Sequence, residues 1–193
     1  MTDQQSHELL SRRSSRLLIV DLQEKLIAAL DETVRIPLLE ASELLVDGAN
    51  LMRVPVIATE QYPSGLGATV TSLAQKIDCR PAKKQFSAML CSGLPAAAEA
   101  TDDRFQIVVA GVETHVCVMQ TVLDLLAWGY QTYVVVDAVA GRRQRDHQVA
   151  LDRMANSGAI LTTTESVLFE WCRTADAAEF KSLSTLVKAR PPG

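Results

Sequence analysis

We predict an α/β fold for this chain: a three-layer α/β/α sandwich of the Rossmann-like type, built around a six-stranded parallel sheet. The main observation is that short apolar segments of strand length alternate with longer segments whose apolar residues recur at helical spacing. Strands joined through helices lie parallel and are covered on both faces. Six such units predict the doubly wound strand order 3-2-1-4-5-6, in which ligands bind where the winding reverses, between strands one and four.

Each predicted strand is a short apolar run bounded by polar or glycine residues. The first, R-L-L-I-V, ends at Asp21. The fourth, Q-I-V-V-A, is rich in β-branched residues and ends at Gly111, which is typical of a strand buried on both faces. The fifth, Q-T-Y-V-V-V, ends at Asp137, whereas the third pattern is weaker and the sixth is short. Strands are expected at 16–20, 54–58, 79–83, 106–110, 131–136 and 159–161.

Helices are predicted between these strands from apolar residues at helical spacing. After strand four, Val116, Met119 and Leu126 follow this spacing, and Gly129 supplies a C-terminal stop. The proline and glycines of 59–67 predict a loop there. Helices are expected at 26–30, 36–52, 70–75, 93–100, 115–128, 145–156, 165–171 and 177–188.

The composition is that of an ordinary globular domain. The 193 residues, 48% hydrophobic and 22% charged, predict one domain over 16–189 after a flexible polar arm over 1–15. A net charge of −4 with interspersed signs predicts no nucleic-acid partner. Apolar runs of strand length and a start without a secretory signal predict no membrane association. Four cysteines without metal or disulfide spacing are typical of a reducing cytoplasm.

A carboxylate and a thiol are expected to meet where the winding of the sheet reverses. Asp21 ends strand one, and Cys117 opens the helix after strand four. The free backbone N–H groups and dipole of a helix start favour a thiolate, and Asp21 could act as the general base for it. Asp21 could equally cap the next helix near Glu24, and Cys117 could be a small buried hydrophobe.

Several motifs in the same order resemble the isochorismatase-like cysteine hydrolases. The resemblance covers nearly the whole chain and is closest to the isochorismatase domain-containing branch. It implies the isochorismatase-like hydrolase fold and a homo-oligomer, a dimer or a tetramer. The motifs are L-L-I-V-D-L-Q at 17–23, A-T-E-Q-Y-P-S-G-L-G at 58–67, K-K-Q-F-S-A-M at 83–89, V-A-G-V-E-T-H-V-C-V-M-Q-T-V-L-D-L-L at 109–126 and L-T-T-T-E at 161–165.

The resemblance implies an Asp–Lys–Cys catalytic triad. Asp21 matches its aspartate and Cys117 its cysteine. The branch reads K-x-x-F-S, and counting back from the F-S pair at 86–87 selects Lys83. Because neighbouring residues of a strand point to opposite faces, Lys84 is expected to be a solvated surface charge. Lys83 would stabilise the anionic forms of the other two groups.

The resemblance also implies the turn that precedes the cysteine. A cis peptide would fall at Val112–Glu113, and the backbone N–H groups of Glu113 and Cys117 would form an oxyanion hole. Nicotinamidases of this superfamily carry a D-x-H metal site after strand two, where this chain reads T-E-Q-Y at 59–62. We therefore expect no catalytic metal and no cofactor.

Five further residues are expected near the substrate. His115 lies two residues before Cys117, so on a helix it would not face the thiol, and a pocket-lining role is favoured over a general base. The others could be loop surface, helix start or apolar wall instead. The expected pocket residues are Gln23, Gln61, Tyr62, Phe86 and His115.

The function predicted from these residues is hydrolysis of a small carbonyl compound, an amide or an ester, through a thioester on Cys117. One alternative is hydrolysis of a vinyl ether without a covalent intermediate, as in isochorismatases, some of which lack the cysteine. A second alternative is a catalytically idle scaffold or partner-binding protein that kept the fold. The presence of Asp21, Lys83 and Cys117 together favours thiol chemistry.

Overall fold

The computed structural model describes Ser6 and residues 8–190 and contains the predicted parallel sheet. Its strands are β1 (Ser15–Val20), β2 (Val56–Gln61), β3 (Ala82–Lys83), β4 (Gln106–Val112), β5 (Gln131–Ala140) and β6 (Ile160–Thr162). The order is β3-β2-β1-β4-β5-β6, and every pairing between them is parallel. The predicted fold class and strand order are confirmed.

Helices fill the connections between the strands. The α-helices are α1 (Glu24–Ala28), α2 (Glu32–Leu51), α3 (Pro63–Leu66), α4 (Thr71–Ala74), α5 (Met119–Ala127), α6 (Gln144–Asn156), α7 (Thr164–Cys172) and α8 (Phe180–Ala189). A 3₁₀ turn spans Ala97–Glu99, and a π-helical turn, Thr114–Val118, precedes α5. Within residues 8–190, no helix has the length and apolarity needed to cross a membrane.

The two faces of the sheet carry separate cores, because side chains of a strand alternate between its faces. In β1, Leu17 and Ile19 pack into the core that α2, α7 and α8 cover. Leu18 and Val20 pack into the core on the opposite face, which α5 and α6 cover. The central strands are thus buried on both sides. The residues just beyond their carboxyl ends therefore also lie deep in the protein.

The N-terminal segment differs from the expected flexible arm. Residues 1–5 and 7 lie outside the described residues. Leu10 is fully buried in the core, and its N–H donates to Oε2 of Glu170 at 2.7 Å. The N–H of Ser11 donates to Oε1 of Gln106 at 2.8 Å. The segment from Leu10 onward therefore packs on the domain, because one apolar side chain and two backbone donors find partners there.

Several elements differ in extent from the prediction; α2 begins earlier, at Glu32, and β5 continues to Ala140. The loop expected over 59–67 is shorter, because β2 continues to Gln61 and α3 follows it. At the sheet edge only Ala82 and Lys83 pair as a strand, and Cys79 makes an isolated bridge with Ile57. The helix expected over 93–100 is a single 3₁₀ turn.

Candidate active site

Asp21 lies directly after β1, with a left-handed backbone (φ 53°), and it is fully buried. Its Oδ1 accepts a hydrogen bond from Oγ1 of Thr59 at 2.8 Å, and its Oδ2 accepts one from Nζ of Lys83 at 2.6 Å. Burial raises the pKa of the Asp21 carboxyl, and the Lys83 charge and these hydrogen bonds work against that rise. Burial of an ionised Asp21 therefore costs free energy, and its hydrogen-bond partners and the Lys83 charge offset part of that cost.

Lys83 reaches Asp21 from the edge strand β3. Its side chain is only 1% exposed. Besides Asp21, the ammonium donates to Oε1 of Gln61 at 2.7 Å and to the carbonyl of Phe86 at 2.8 Å, with a longer contact of 3.3 Å to the carbonyl of Gln85. Lys84 is exposed, as the alternation of a strand requires. Of the two adjacent lysines, Lys83 is the one beside Asp21.

Cys117 lies in the π-helical turn after β4, the strand that pairs with β1 at the reversal of the winding. It is 5% exposed. Burial and then the negative charge of Asp21 raise the pKa of its thiol to about 12, and Lys83 acts in the opposite direction. The helix start was expected to favour a thiolate, whereas burial and the Asp21 charge favour the protonated sulfur. With a pKa of about 12, the sulfur is mostly a thiol at neutral pH.

The turn before Cys117 brings β4 unusually close to β1. Gly111 has φ +126°, and a Cβ there would lie 2.0 Å from the carbonyl oxygen of Val20. The peptide bond between Val112 and Glu113 is cis, at the position that the resemblance implied. These features place the Glu113 and Cys117 backbone in one tight turn. The oxyanion hole expected from their N–H groups stays a prediction.

The side chain of Glu113 faces away from this chemistry and binds Arg142. Nε of Arg142 donates to Oε1 at 3.1 Å and to Oε2 at 3.0 Å, and the N–H of Arg142 also donates to Oε2. Burial works to raise the pKa of Glu113, but Arg142 outweighs it and the pKa is lowered. The ion pair fastens the turn that carries Cys117 to the end of β5.

Gln23 and Gln61, two of the expected pocket residues, bind protein rather than face a cavity. The Gln23 side-chain amide accepts from the N–H of Gln61 at 2.7 Å and donates to the carbonyls of Gln61 and Gly67. Gln61 donates through Nε2 to the carbonyl of Lys84 and accepts from Lys83. Both amides hold the site together, and substrate contact by either stays untested.

Tyr62 and Phe86 are exposed, at 53% and 51%. Tyr62 lines a cavity of about 520 Å³ whose wall also includes Lys83 and the half-buried Cys91. Phe86 contributes its carbonyl to Lys83, and its ring is left free at the surface. Tyr62 is thus placed as expected of a pocket residue, beside the segment that carries Lys83.

His115 lies on a different cavity, of about 370 Å³, lined also by Arg142, Arg143 and Asp146. Its Nδ1 is buried and has no hydrogen-bond partner within the described part of the chain. A Cβ at Gly141 would lie 3.2 Å from that nitrogen. His115 therefore packs against the segment after β5, in agreement with the view that it is not the general base.

Two contacts were missed by sequence reasoning: the Thr59 hydroxyl on Asp21 and the Gln61 carbonyl on Lys83. The register of the sheet pairs Val20 with Thr59, so Thr59 ends level with the carboxyl end of β1. A hydroxyl at the end of a neighbouring parallel strand was the available signal. No His, Cys, Asp or Glu side chains of the described residues form a group of three that could hold a metal, and the metal-free site stays a prediction.

Comparisons with known proteins show the family to which the chain belongs. Residues 15–166 match the family described as Isochorismatase domain. Isochorismatase domain-containing protein 2A of Mus musculus is 42% identical over 183 residues, 93% of this chain and 85% of that protein. Isochorismatase domain-containing protein 1 of Salmo salar is 40% identical over 160 residues, 80% of this chain, and this stretch spans only 55% of that protein's length.

A solved structure shares both fold and sequence with the chain. It is the MAR1 ribonuclease of Caenorhabditis elegans, which is 34% identical and superposes with a TM-score of 0.84. The likeness covers 96% of this chain and 95% of that one.

Proposed function

The chain belongs to the isochorismatase family, and on that premise we propose that it is a cysteine hydrolase acting on a small amide or ester through a thioester. The observation that carries the proposal is the meeting of Asp21, Lys83 and Cys117, from three distant segments, in one buried place. Burial of an ion pair costs free energy. Because this pair lies beside a thiol, catalysis by Cys117 is a reason for the protein to keep it.

In the proposed mechanism the thiol is deprotonated only as it reacts. With a thiol pKa of about 12, a resting thiolate is scarce at neutral pH. Asp21 accepts the proton while the Cys117 sulfur attacks the carbonyl carbon, and the two backbone N–H groups at Glu113 and Cys117 stabilise the oxyanion. Asp21 then returns the proton to the departing amine or alcohol. Water, deprotonated by the same carboxylate, attacks the thioester carbonyl; the C–S bond breaks, the acid is released, and Asp21 returns the proton to the Cys117 sulfur.

Lys83 acts in this scheme as a fixed positive charge. It counters the burial that would otherwise protonate Asp21, and it lowers the pKa of the Cys117 thiol. Such preorganised charges in a water-poor site stabilise the developing negative charge without having to reorient.

We propose a small molecule as the substrate. The three groups are almost completely buried, and a net charge of −4 is unlike the basic balance typical of proteins that bind a nucleic-acid backbone. The C. elegans protein is named a ribonuclease, so an RNA oligonucleotide belongs in the substrate panel beside small amides, ureides and esters. A homo-oligomer and a cytoplasmic location stay predictions.

The test is alkylation of the native protein with iodoacetamide at pH 6.5, followed by mass spectrometry of the cysteine-containing peptides. We expect Cys117 to be labelled ahead of the exposed Cys79, although Cys117 is buried, because only Cys117 has a base beside it. Cys172, which is also buried, is the internal reference for a thiol away from Asp21. Labelling in order of exposure alone would contradict the proposal and favour an idle scaffold.

A turnover experiment separates the two enzymatic routes. During hydrolysis of an active amide or ester, intact-protein mass spectrometry should detect an acyl adduct that is absent from Cys117→Ala. Turnover of the same substrate that survives in Cys117→Ala would instead support a route without a covalent intermediate, and a vinyl ether substrate would then be tested next.

A further inference from the structure

The ammonium of Lys83 has no N–H group left for a substrate. A lysine ammonium carries three N–H donors. Three short bonds take them up: to Oδ2 of Asp21 at 2.6 Å, to Oε1 of Gln61 at 2.7 Å and to the carbonyl of Phe86 at 2.8 Å. With the side chain only 1% exposed, water does not compete for these donors.

Gln61 is itself held from the segment that carries Asp21. The Gln23 side chain binds both the N–H and the carbonyl of Gln61, at 2.7 and 3.0 Å. The N–H of Gln23 in turn donates to the carbonyl of Asp21 at 2.7 Å. The contacts close a ring that runs from Asp21 to Lys83, Gln61, Gln23 and back to Asp21.

We propose that Gln61, fixed by Gln23, is a positioning residue that holds the Lys83 ammonium on Asp21 and so keeps Asp21 ready to accept the Cys117 proton. The inference rests on the proposed function, because it concerns the same three groups. Gln61 would hold the Lys83 ammonium in place. From its position in the predicted loop, it had been expected to contact the substrate.

The physical reason is the scarcity of acceptors around a buried cation. Asp21 and the carbonyl of Phe86 supply two short contacts, the carbonyl of Gln85 lies farther away at 3.3 Å, and Gln61 is the one side-chain amide among the ammonium's described partners. If the side-chain carbonyl of Gln61 were removed, one N–H of a buried ammonium would lose its short partner and could turn only to the more distant Gln85 carbonyl, which favours movement of Lys83 away from its present place. The counter-charge on Asp21 would then weaken.

The consequence for pH dependence follows from the groups that face Asp21. These are Lys83 from β3 and Cys117 from the turn after β4, with Cys91 near enough to feel both charges of the ion pair. A weaker Lys83 contact raises the pKa of Asp21 further, since burial then acts with less opposition. The ionised Asp21 that accepts the thiol proton would be lost at a higher pH than in the wild type.

The experiment measures the rate of Cys117 alkylation by iodoacetamide between pH 5 and 9 in three forms of the full chain. Gln61→Leu removes the acceptor and nearly keeps the volume. Gln61→Glu keeps an oxygen at the same place. Gln85→Leu is the matched control, because Gln85 is exposed and meets Lys83 only through its backbone carbonyl.

We expect Gln61→Leu to label Cys117 roughly ten- to a hundredfold more slowly at neutral pH, which is the size of a lost hydrogen bond to a charged group. Its rate should fall off at a higher pH than that of the wild type. Gln61→Glu should recover part of the rate at pH 8 and above, and Gln85→Leu should match the wild type. Thermal melting of each variant shows whether it is folded.

Three outcomes would overturn either the role of Gln61 or the proposed function. A folded Gln61→Leu with the rate and pH profile of Gln85→Leu overturns the inference while leaving the proposed function standing. Equal slowing in Gln61→Leu and Gln61→Glu with an unshifted pH profile also overturns it, since that result marks a merely structural role. If wild-type Cys117 is not labelled ahead of the other cysteines, the proposed function fails first, and the two failures are thereby distinguishable.

Discussion

Replacing Lys83 by methionine removes the positive charge 2.6 Å from Oδ2 of Asp21 while nearly keeping the volume of the side chain. Both partners are almost fully buried, at 1% and 0% side-chain exposure, so solvent cannot replace the lost charge. Loss of one partner of a buried ion pair costs about 3–5 kcal/mol. That is a large part of the roughly 5–15 kcal/mol by which domains are stable.

The loss should depend on pH in a definite direction. The pKa of folded Asp21 is already raised above 3.8, and removal of Lys83 raises it further. A carboxyl whose folded pKa is raised keeps a proton that the unfolded chain releases. The stability of the variant is therefore highest near pH 4 and falls as the pH rises, by about 1.4 kcal/mol per unit, until the new folded pKa is passed.

The assay is urea unfolding of the wild type and Lys83→Met at pH 4 and pH 7.5. The control is Lys84→Met, which removes an adjacent but exposed charge and should leave the stability nearly unchanged. Asp21→Asn combined with Lys83→Met removes the stranded carboxylate and should recover part of the loss at pH 7.5. An equal loss at both pH values, or one below about 1 kcal/mol at pH 7.5, would refute the reasoning.

Two further predictions concern the partners of Asp21 and the close contact of the central strands. Thr59→Val removes the hydroxyl that donates to Asp21 at 2.8 Å; it should raise the pKa of Asp21, slow Cys117 alkylation about tenfold and move its acidic limb to higher pH. An unchanged pH profile would count against this. Gly111→Ala should destabilise the fold by roughly 3 kcal/mol or more in urea unfolding, because its Cβ meets a backbone carbonyl. Gly158→Ala, where φ is also positive but the space is open, should cost only about 1 kcal/mol.

Much of the architecture could be predicted from the sequence, because it depends on local pattern. Short continuous apolar runs, with apolar residues at helical spacing between them, determined the layers, and the winding rule placed Asp21 and Cys117 at one reversal point. The motif register selected Lys83 over Lys84, and the alternation of side chains along a strand accounts for that choice. In the structure Lys83 binds Asp21, and both charges act on the Cys117 thiol; the winding rule had pointed to Asp21 and Cys117, and the resemblance had added Lys83.

The local sequence pattern could not predict which atoms each side chain contacts in the folded protein. Leu10 lies in a polar stretch, so nothing marked it as a core residue until α7 and β4 offered partners. Gln61 was expected at a pocket wall, yet Lys83 takes its carbonyl. A sequence reports which side chains could bond, and only the fold decides which acceptors a buried ammonium meets.

The pKa of the Cys117 thiol is another property that the local sequence could not predict. Its position at a helix start was readable from the chain, and that position alone favours a thiolate. The pKa of about 12 comes from burial and from a carboxylate nearly a hundred residues away in the chain. Sequence by itself determined the fold and the meeting place of Asp21 and Cys117; tertiary structure alone decided the direction in which their pKa values shift, because desolvation and Coulomb forces depend on distances in space.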